Sequence, residues 1–131
     1  MITGKIIPGT TITVPTTVFT SSGSNAVTTI ILCNTGTPDL TNENNFSINV
    51  NVYLVSPGQP GADNSTTGNG SLIVSKLRVP AGESVIFSDE RIILESGDLI
   101  RVGYEIDANH DSGTYPTYTN LLTVTVSTLT V

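Results

Sequence analysis

The chain has 131 residues, eleven acidic and five basic, for a net charge of −6, and only 12% of its side chains are charged, well below the roughly 25% usual in globular proteins. A chain of this length encloses one hydrophobic core, so a single domain over 1–131 is expected. An acidic balance lacks the concentrated positive field that draws nucleic acid or an anionic membrane. No apolar run approaches the ~18 residues of a membrane span or forms the core of a secretory leader, and the one cysteine, Cys33, closes no internal disulfide. A soluble, unprocessed chain is expected, held by packing or by partner subunits. Most polarity comes from Thr, Ser and Asn, and such an uncharged surface meets another protein without burying unpaired charge.

Residues with β-branched side chains dominate and no segment repeats apolar residues at 3.6, so strands are expected nearly everywhere. Residues 1–9, "MITGKIIPG", read as an N-terminal arm, followed by a strand at Thr10 to Val14 and the turn-rich cluster "PTTVFTSSGSN". Ala26 to Cys33 reads as a strand. In Ile48 to Val55, "INVNVYLV", Ile48, Val50, Val52 and Leu54 share one face, expected to be core, while Asn49, Asn51 and Tyr53 share the other, expected to meet solvent or a partner. A further strand is expected at Leu72 to Val79.

"RVPAGESVIFSDERIILESGDLIRV", Arg78 to Val102, holds three apolar runs cut by two Gly-plus-acid turns, Pro80 to Glu83 and Glu95 to Asp98. In each, Gly supplies a conformation that other residues resist. Val85 to Phe87 and Ile92 to Leu94 make two short strands around the polar "SDER". The charges beside the turns are expected to be exposed, which favours scaffolding over an active site. In Leu99 to Ile106 the set Ile100, Val102, Tyr104 and Ile106 is placed inward and the charges Arg101 and Glu105 outward. Leu121 to Val131 carries Leu122, Val124 and Val126 on one face, and Leu129 and Val131 break that phase, as a bulge or an intersubunit contact would.

The remaining clusters, "NTGTPDLTNENN", "SPGQPGADNSTTGNGS" and "DANHDSGTYPTYTN", are loops. No repeat of roughly 20 to 50 residues is visible. Seven or eight short strands imply two packed antiparallel sheets, because one open sheet leaves an apolar face wet. The expected fold is all-β, an antiparallel two-sheet, jelly-roll-like sandwich. An immunoglobulin-like sandwich is the nearest rival, but its buried Trp and cysteine pair are missing from this sequence.

"TIILCNTG" (Thr29 to Gly36), "VNVYLVSPG" (Val50 to Gly58), "LRVPAGESVIF" (Leu77 to Phe87) and "RIILESGDLIRV" (Arg91 to Val102), in that order, resemble a small β-domain of tailed-bacteriophage virion proteins. That domain occurs as a stand-alone structural protein, especially in phages of cyanobacteria and other aquatic bacteria, and as a module of tail-fibre proteins. The resemblance covers about Thr29 to Ile106. The insertions "TPDLTNENNFS" and "QPGADNSTTGNGS" and the C-terminal strand, which lacks a Ser-Gly ending, depart from the pattern. The resemblance implies a non-enzymatic virion protein, oligomeric and often threefold, synthesised in the bacterial host cytoplasm.

Chemistry-bearing residues are few. Asp107, Asn109 and Asp111 fall at the first, third and fifth positions of a calcium-loop pattern. Ser112 stands where such a loop has Gly and Tyr118 where it has Glu, so an Asx-rich turn is the simpler reading. His110 is the only histidine and has no nucleophile elbow to serve. Cys33, at a strand end, reads as a small buried apolar residue. Three glycosylation sequons begin at Asn45, Asn64 and Asn69 and are chance matches in a phage. Glu83, Glu95, Asp98 and Glu105 carry no spacing that pairs two acids for glycoside hydrolysis. The alternating Thr of "LLTVTVSTLTV" marks a strand's polar side. No metal, cofactor or catalytic residue is assigned.

The function that the resemblance implies is structural: a self-associating chain, as a trimer, that binds capsid or tail proteins and serves as capsid decoration or cement or as a tail or baseplate accessory. Ile2, Ile6 and Ile7 of the arm and Leu129 and Val131 of the last strand are the expected interface. The alternative is a glycan-binding receptor module of a tail fibre using the Ser56 to Ser71 and Asp107 to Asn120 loops. There Asp107, Asn109 and Asp111 would bond hydroxyls and Tyr115 and Tyr118 would supply the rings, in a chain with no Trp.

Overall fold

The computed structural model describes residues 1–7, 15–36, 47–58, 72–88, 92–106 and 121–131. Among them there is no helix, and the strands are β1 (Ile2–Ile7), β2 (Thr16–Thr20), β3 (Asn25–Asn34), β4 (Ile48–Val55), β5 (Leu72–Val79), β6 (Ser84–Phe87), β7 (Ile92–Leu94), β8 (Leu99–Ile106) and β9 (Leu122–Thr130). Two antiparallel sheets result. Sheet I has the order β1-β9-β3-β6, with β7 also on β3, and sheet II has the order β2-β8-β4-β5. Because β6 pairs with Ile30–Cys33 and β7 with Asn25–Val27, the two short strands are halves of one broken edge.

Beyond these neighbours, β1 pairs β9, β2 pairs β8, β3 pairs β6 and β7, and β4 pairs β5. The chain is thus one long hairpin whose arms are nested pair inside pair, rolled so that successive pairs alternate between the sheets. That is the connectivity of a jelly roll, and the sandwich expected from the sequence is present. The core between the sheets is aliphatic apart from the Phe19 ring and the Tyr104 phenol. Val27, Ile30, Leu32, Val124 and Val126 come from sheet I, and Val50, Val52, Ile100, Val102 and Tyr104 from sheet II.

Both Gly-plus-acid turns carry the chain from one sheet to the other. After β5, Glu83 N–H bonds Pro80 O at 3.1 Å with Gly82 at φ 77°. After β7, Asp98 N–H bonds Glu95 O at 3.1 Å with Gly97 at φ 93°. A positive φ at the third position is the requirement of a type II turn. Each turn is stitched to the strand it passes. Asn34 N–H donates to Glu83 O and Gly82 N–H to Asn34 O, both at 2.9 Å. Gly97 N–H donates to Ser21 O at 2.8 Å, and Ser21 N–H to Asp98 O at 2.9 Å. In the first crossing the buried Asn34 side chain adds two bonds: Nδ2 donates to Val79 O and Oδ1 accepts from Gly36 N–H, each at 2.9 Å. One side chain thereby holds the end of β3 in sheet I to the end of β5 in sheet II.

Four expectations are corrected. Residues 2–7 are not an arm: they form edge strand β1, and Met1 just before it donates its ammonium to Thr128 O at 2.7 Å. "PTTVFTSSGSN" contains β2, whose inward-packed Val18 and Phe19 lie in the core. Arg101 is not outward in solvent but buried, its Nε donating to Thr17 Oγ1 at 3.1 Å. Asn51 and Tyr53 are buried too, so both faces of β4 are covered. The expected strand at Thr10 to Val14 lies outside the described residues.

Gly58 and Gly97 both hold positive φ, at 82° and 93°, but a Cβ at Gly58 meets nothing within 4 Å whereas at Gly97 it meets Pro57 Cγ at 2.7 Å. Gly58→Ala is expected to cost about 1 kcal/mol from backbone strain alone, and Gly97→Ala about 3 kcal/mol from strain plus the clash. Equilibrium urea unfolding of the two variants checks the ranking.

Candidate functional site

Strand alternation decides which terminal residues are available. In the β1–β9 register Ile2 faces Ser127, Gly4 faces Thr125 and Ile6 faces Thr123, and all of these point away from the core because Val124 and Val126 point into it. Ile2 is 74% exposed, Ile6 58%, Leu129 58% and Val131 69%. Ile7 is the exception. It sits one residue out of phase with Ile6, faces Leu122 and is fully buried in the chain's own core, so it is withdrawn from the expected interface.

Leu129 breaks the apolar phase of the last strand without any bulge in that strand. Leu122, Val124, Val126 and Thr128 continue inward in strict alternation, and Thr128 takes the fourth inward place by bonding Met1 O through its backbone N–H at 2.8 Å. The irregularity is on the partner strand, where Thr28 is an extra residue in β3 between Val27 and Thr29. Leu129 therefore stands on the outer face, opposite Ala26, which is in turn opposite Ile93.

The same face continues across sheet I. Thr125 pairs with Ile31 and Ile31 with Ile86, while Thr123 pairs with Cys33 and Cys33 with Ser84. Ile86 is 59% exposed and Ile93 58%. Cys33 is half-buried on this outer face, not in the core as its strand-end position suggested. Among the described residues the strand positions of this face carry no charged side chain. Lys5 is on the alternate phase of β1 and reaches sheet II, where Nζ donates to Thr17 O at 3.0 Å.

Sheet II differs. Its outward positions hold buried polar groups: Asn51 Nδ2 donates to Tyr53 Oη at 2.9 Å and Asn51 Oδ1 accepts from Lys76 N–H at 2.7 Å. That second bond holds a bulge. Three residues of β5, Val74 to Lys76, span the step that two residues take on β4, and Lys76 sits at φ 48°, a left-handed conformation that disfavours a side chain. Between the edge strands β5 and β6–β7 lies a cavity of about 500 Å³ lined by Ile30, Val52, Ile73, Val74, Ile86, Phe87, Ser88 and Ile92.

The acids considered for catalysis serve turns and edges. Asp98 Oδ2 accepts from Glu95 N–H at 2.9 Å within one turn, Glu83 is at the other, and Glu105 lies 3.7 Å from the exposed Lys76 ammonium. Among the described residues no three His, Cys, Asp or Glu side chains converge as a metal site. Asp107, Asn109, His110, Asp111, Tyr115 and Tyr118 lie outside the described residues, as do the residues 59–71 of the other loop.

Compared with protein-family models, with curated proteins and with solved structures, the chain has no match.

Lys76→Gly is expected to stabilise the protein by about 1 kcal/mol by relieving the left-handed residue, and Asn51→Ala to destabilise it by about 2 kcal/mol by stranding the Lys76 amide. Thermal and urea unfolding read both signs.

Proposed function

We propose that this protein is a non-enzymatic structural component of a tailed-bacteriophage virion, which associates with its own copies, as a trimer, and attaches to the virion surface as capsid decoration or cement or as a tail or baseplate accessory. The observation that carries the reading is the pairing of β1 with β9, which gathers the exposed Ile2, Ile6 and Leu129 on one face with the chain's two ends, Met1 and Val131, beside them. Exposed aliphatic side chains gathered on one side are uncommon on a monomer and mark a surface that another protein covers. The sequence resemblance to phage virion domains and the jelly-roll body, a fold used in viral capsids, point the same way by analogy.

The mechanism is stabilisation by contact. Burying these side chains contributes roughly 25 cal/mol per Å² of apolar surface, from which the cost of ordering two bodies is subtracted. A rigid sandwich presents the patch without further folding, so that cost stays low. Nothing in this action needs a reactive group.

Native mass measurement of the purified protein, followed by gold labelling on intact particles, tests the reading. A trimeric mass with label on the capsid or tail is expected, and Ile6→Asp combined with Leu129→Asp is expected to lower the mass to that of one chain. A monodisperse single-chain species that binds host glycan and no phage particle would replace this function with the receptor reading.

A further inference from the structure

We infer that the whole outer face of sheet I, across all its strands, is the self-association surface, and that its occupant is a second copy of this chain. The inference rests on the self-association just proposed and assigns it a surface wider than the chain's two terminal strands. Three observations support it.

The first is chemical. The cross-strand row Gly4–Thr125–Ile31–Ile86 runs the width of the sheet, and Leu129–Ala26–Ile93 crosses β9, β3 and β7, with only aliphatic, hydroxyl or hydrogen side chains. The described charged residues lie elsewhere: Glu83, Glu95 and Asp98 at the crossing turns, Lys76, Arg78, Arg101 and Glu105 on sheet II, and Lys5 on the alternate phase of β1. A chain of net charge −6 repels its own copies. Contact between copies is opposed least through a face from which charge is excluded, and this face offers no charge by which a partner of opposite sign would be selected.

The second is size. Four strand positions at roughly 4.8 Å spacing, with about nine residues rising roughly 3.4 Å each, give a flat footprint of about 600 Å². Side-chain relief raises the accessible area above that, toward the ~800 Å² per partner of a standard stable interface. The third is relief itself. Ile2, Ile6, Ile86, Ile93 and Leu129 stand at the margins, each more than half exposed, while the middle of the sheet holds the half-buried Ile31 among the shorter Thr125, Ser127, Thr29 and Ala26. The aliphatic rim at one margin of a copy enters the shallower middle of the next copy's face, a head-to-tail contact that closes as the trimer proposed above, and the Thr and Ser hydroxyls find partners across it.

Cys33, the chain's single thiol, lies half-buried in this face and reports on its coverage. The experiment compares wild type with Thr125→Arg at the centre, Ile86→Lys at the margin, and Ser75→Arg on sheet II as control. It follows mass by sedimentation at millimolar protein and the rate of Cys33 alkylation by a maleimide, with circular dichroism to verify folding. Wild type and Ser75→Arg are expected to associate and to protect Cys33. Thr125→Arg and Ile86→Lys are expected to weaken association by at least about 100-fold, because each buries an unpaired charge in every contact, and to lose the protection. Should Thr125→Arg alter the fold, the exposed Ile86→Lys still decides. An oligomer that persists in both variants with Cys33 reactive overturns the face assignment and leaves self-association standing. A wild type that is monomeric overturns both, and protection of its Cys33 on intact virions only would give the face to a different protein.

Discussion

The structure depends on how the chain changes sheets. In a rolled hairpin every strand's pairing is set by where its neighbours cross from one layer to the other, and the first Gly turn is fixed by a single buried side chain. Asn34 donates to Val79 O, accepts from Gly36 N–H, and through its own backbone bonds Glu83 and Gly82. The adjoining Thr35 N–H donates to Leu121 O at 2.7 Å, at the entry to β9, and Leu121 N–H reaches the phenol of the buried Tyr104 in sheet II at 3.3 Å. The end of β3 is thus the point where β5, β6, β8 and β9 are all referred to one another. A buried amide with its donors and acceptors met supplies direction that aliphatic packing lacks.

Fixing the crossings fixes the phase of the strands, and the phase decides what each sheet shows outside. A shift by one residue would exchange the faces, placing Val124 and Val126 in solvent and Thr125 in the core. With the observed phase, sheet II turns Asn51, Tyr53 and Arg101 to positions that are buried and bonded, while sheet I turns Thr, Ser and a rim of aliphatic residues to the outside. Two sheets built from similar residues therefore have different outer surfaces. One is a closed polar layer, and the other is an uncharged surface suited to association.

Much of this was legible in the sequence because alternation is a local property. β4, β5 and β8 have the bounds their side chains announce, and the two Gly turns follow from Gly82 and Gly97. What local pattern could not reach was pairing across the sheets. β1 reads as an arm because Ile6 and Ile7 are adjacent and suggest no phase until β9 supplies one. β2 hides in a Thr- and Ser-rich run whose only large residues, Val18 and Phe19, both pack inward at a register shift against β8. Arg101 alternates with core residues and so reads as solvent-facing, but its far side is covered by contacts of long sequence separation. The rim residues Ile86 and Ile93 were also obscured, each lying in a run of three apolar residues, where outward and inward positions look alike. Leu129 and Val131 are legible as surface because they break the alternation of Leu122, Val124 and Val126, whereas Ile2 and Ile6 read as surface only through the arm, a reading that also misplaces the buried Ile7.

The claim that a single amide governs the sheet crossing is tested most directly by the equilibrium unfolding free energy of Asn34→Leu, which keeps the branch at Cγ and removes both polar atoms. Loss of about 3 kcal/mol is expected, since Val79 O and Gly36 N–H are left buried without their partner. An unchanged or increased stability, which is what a purely packing role would yield when an apolar side chain replaces a polar one in the core, would contradict it.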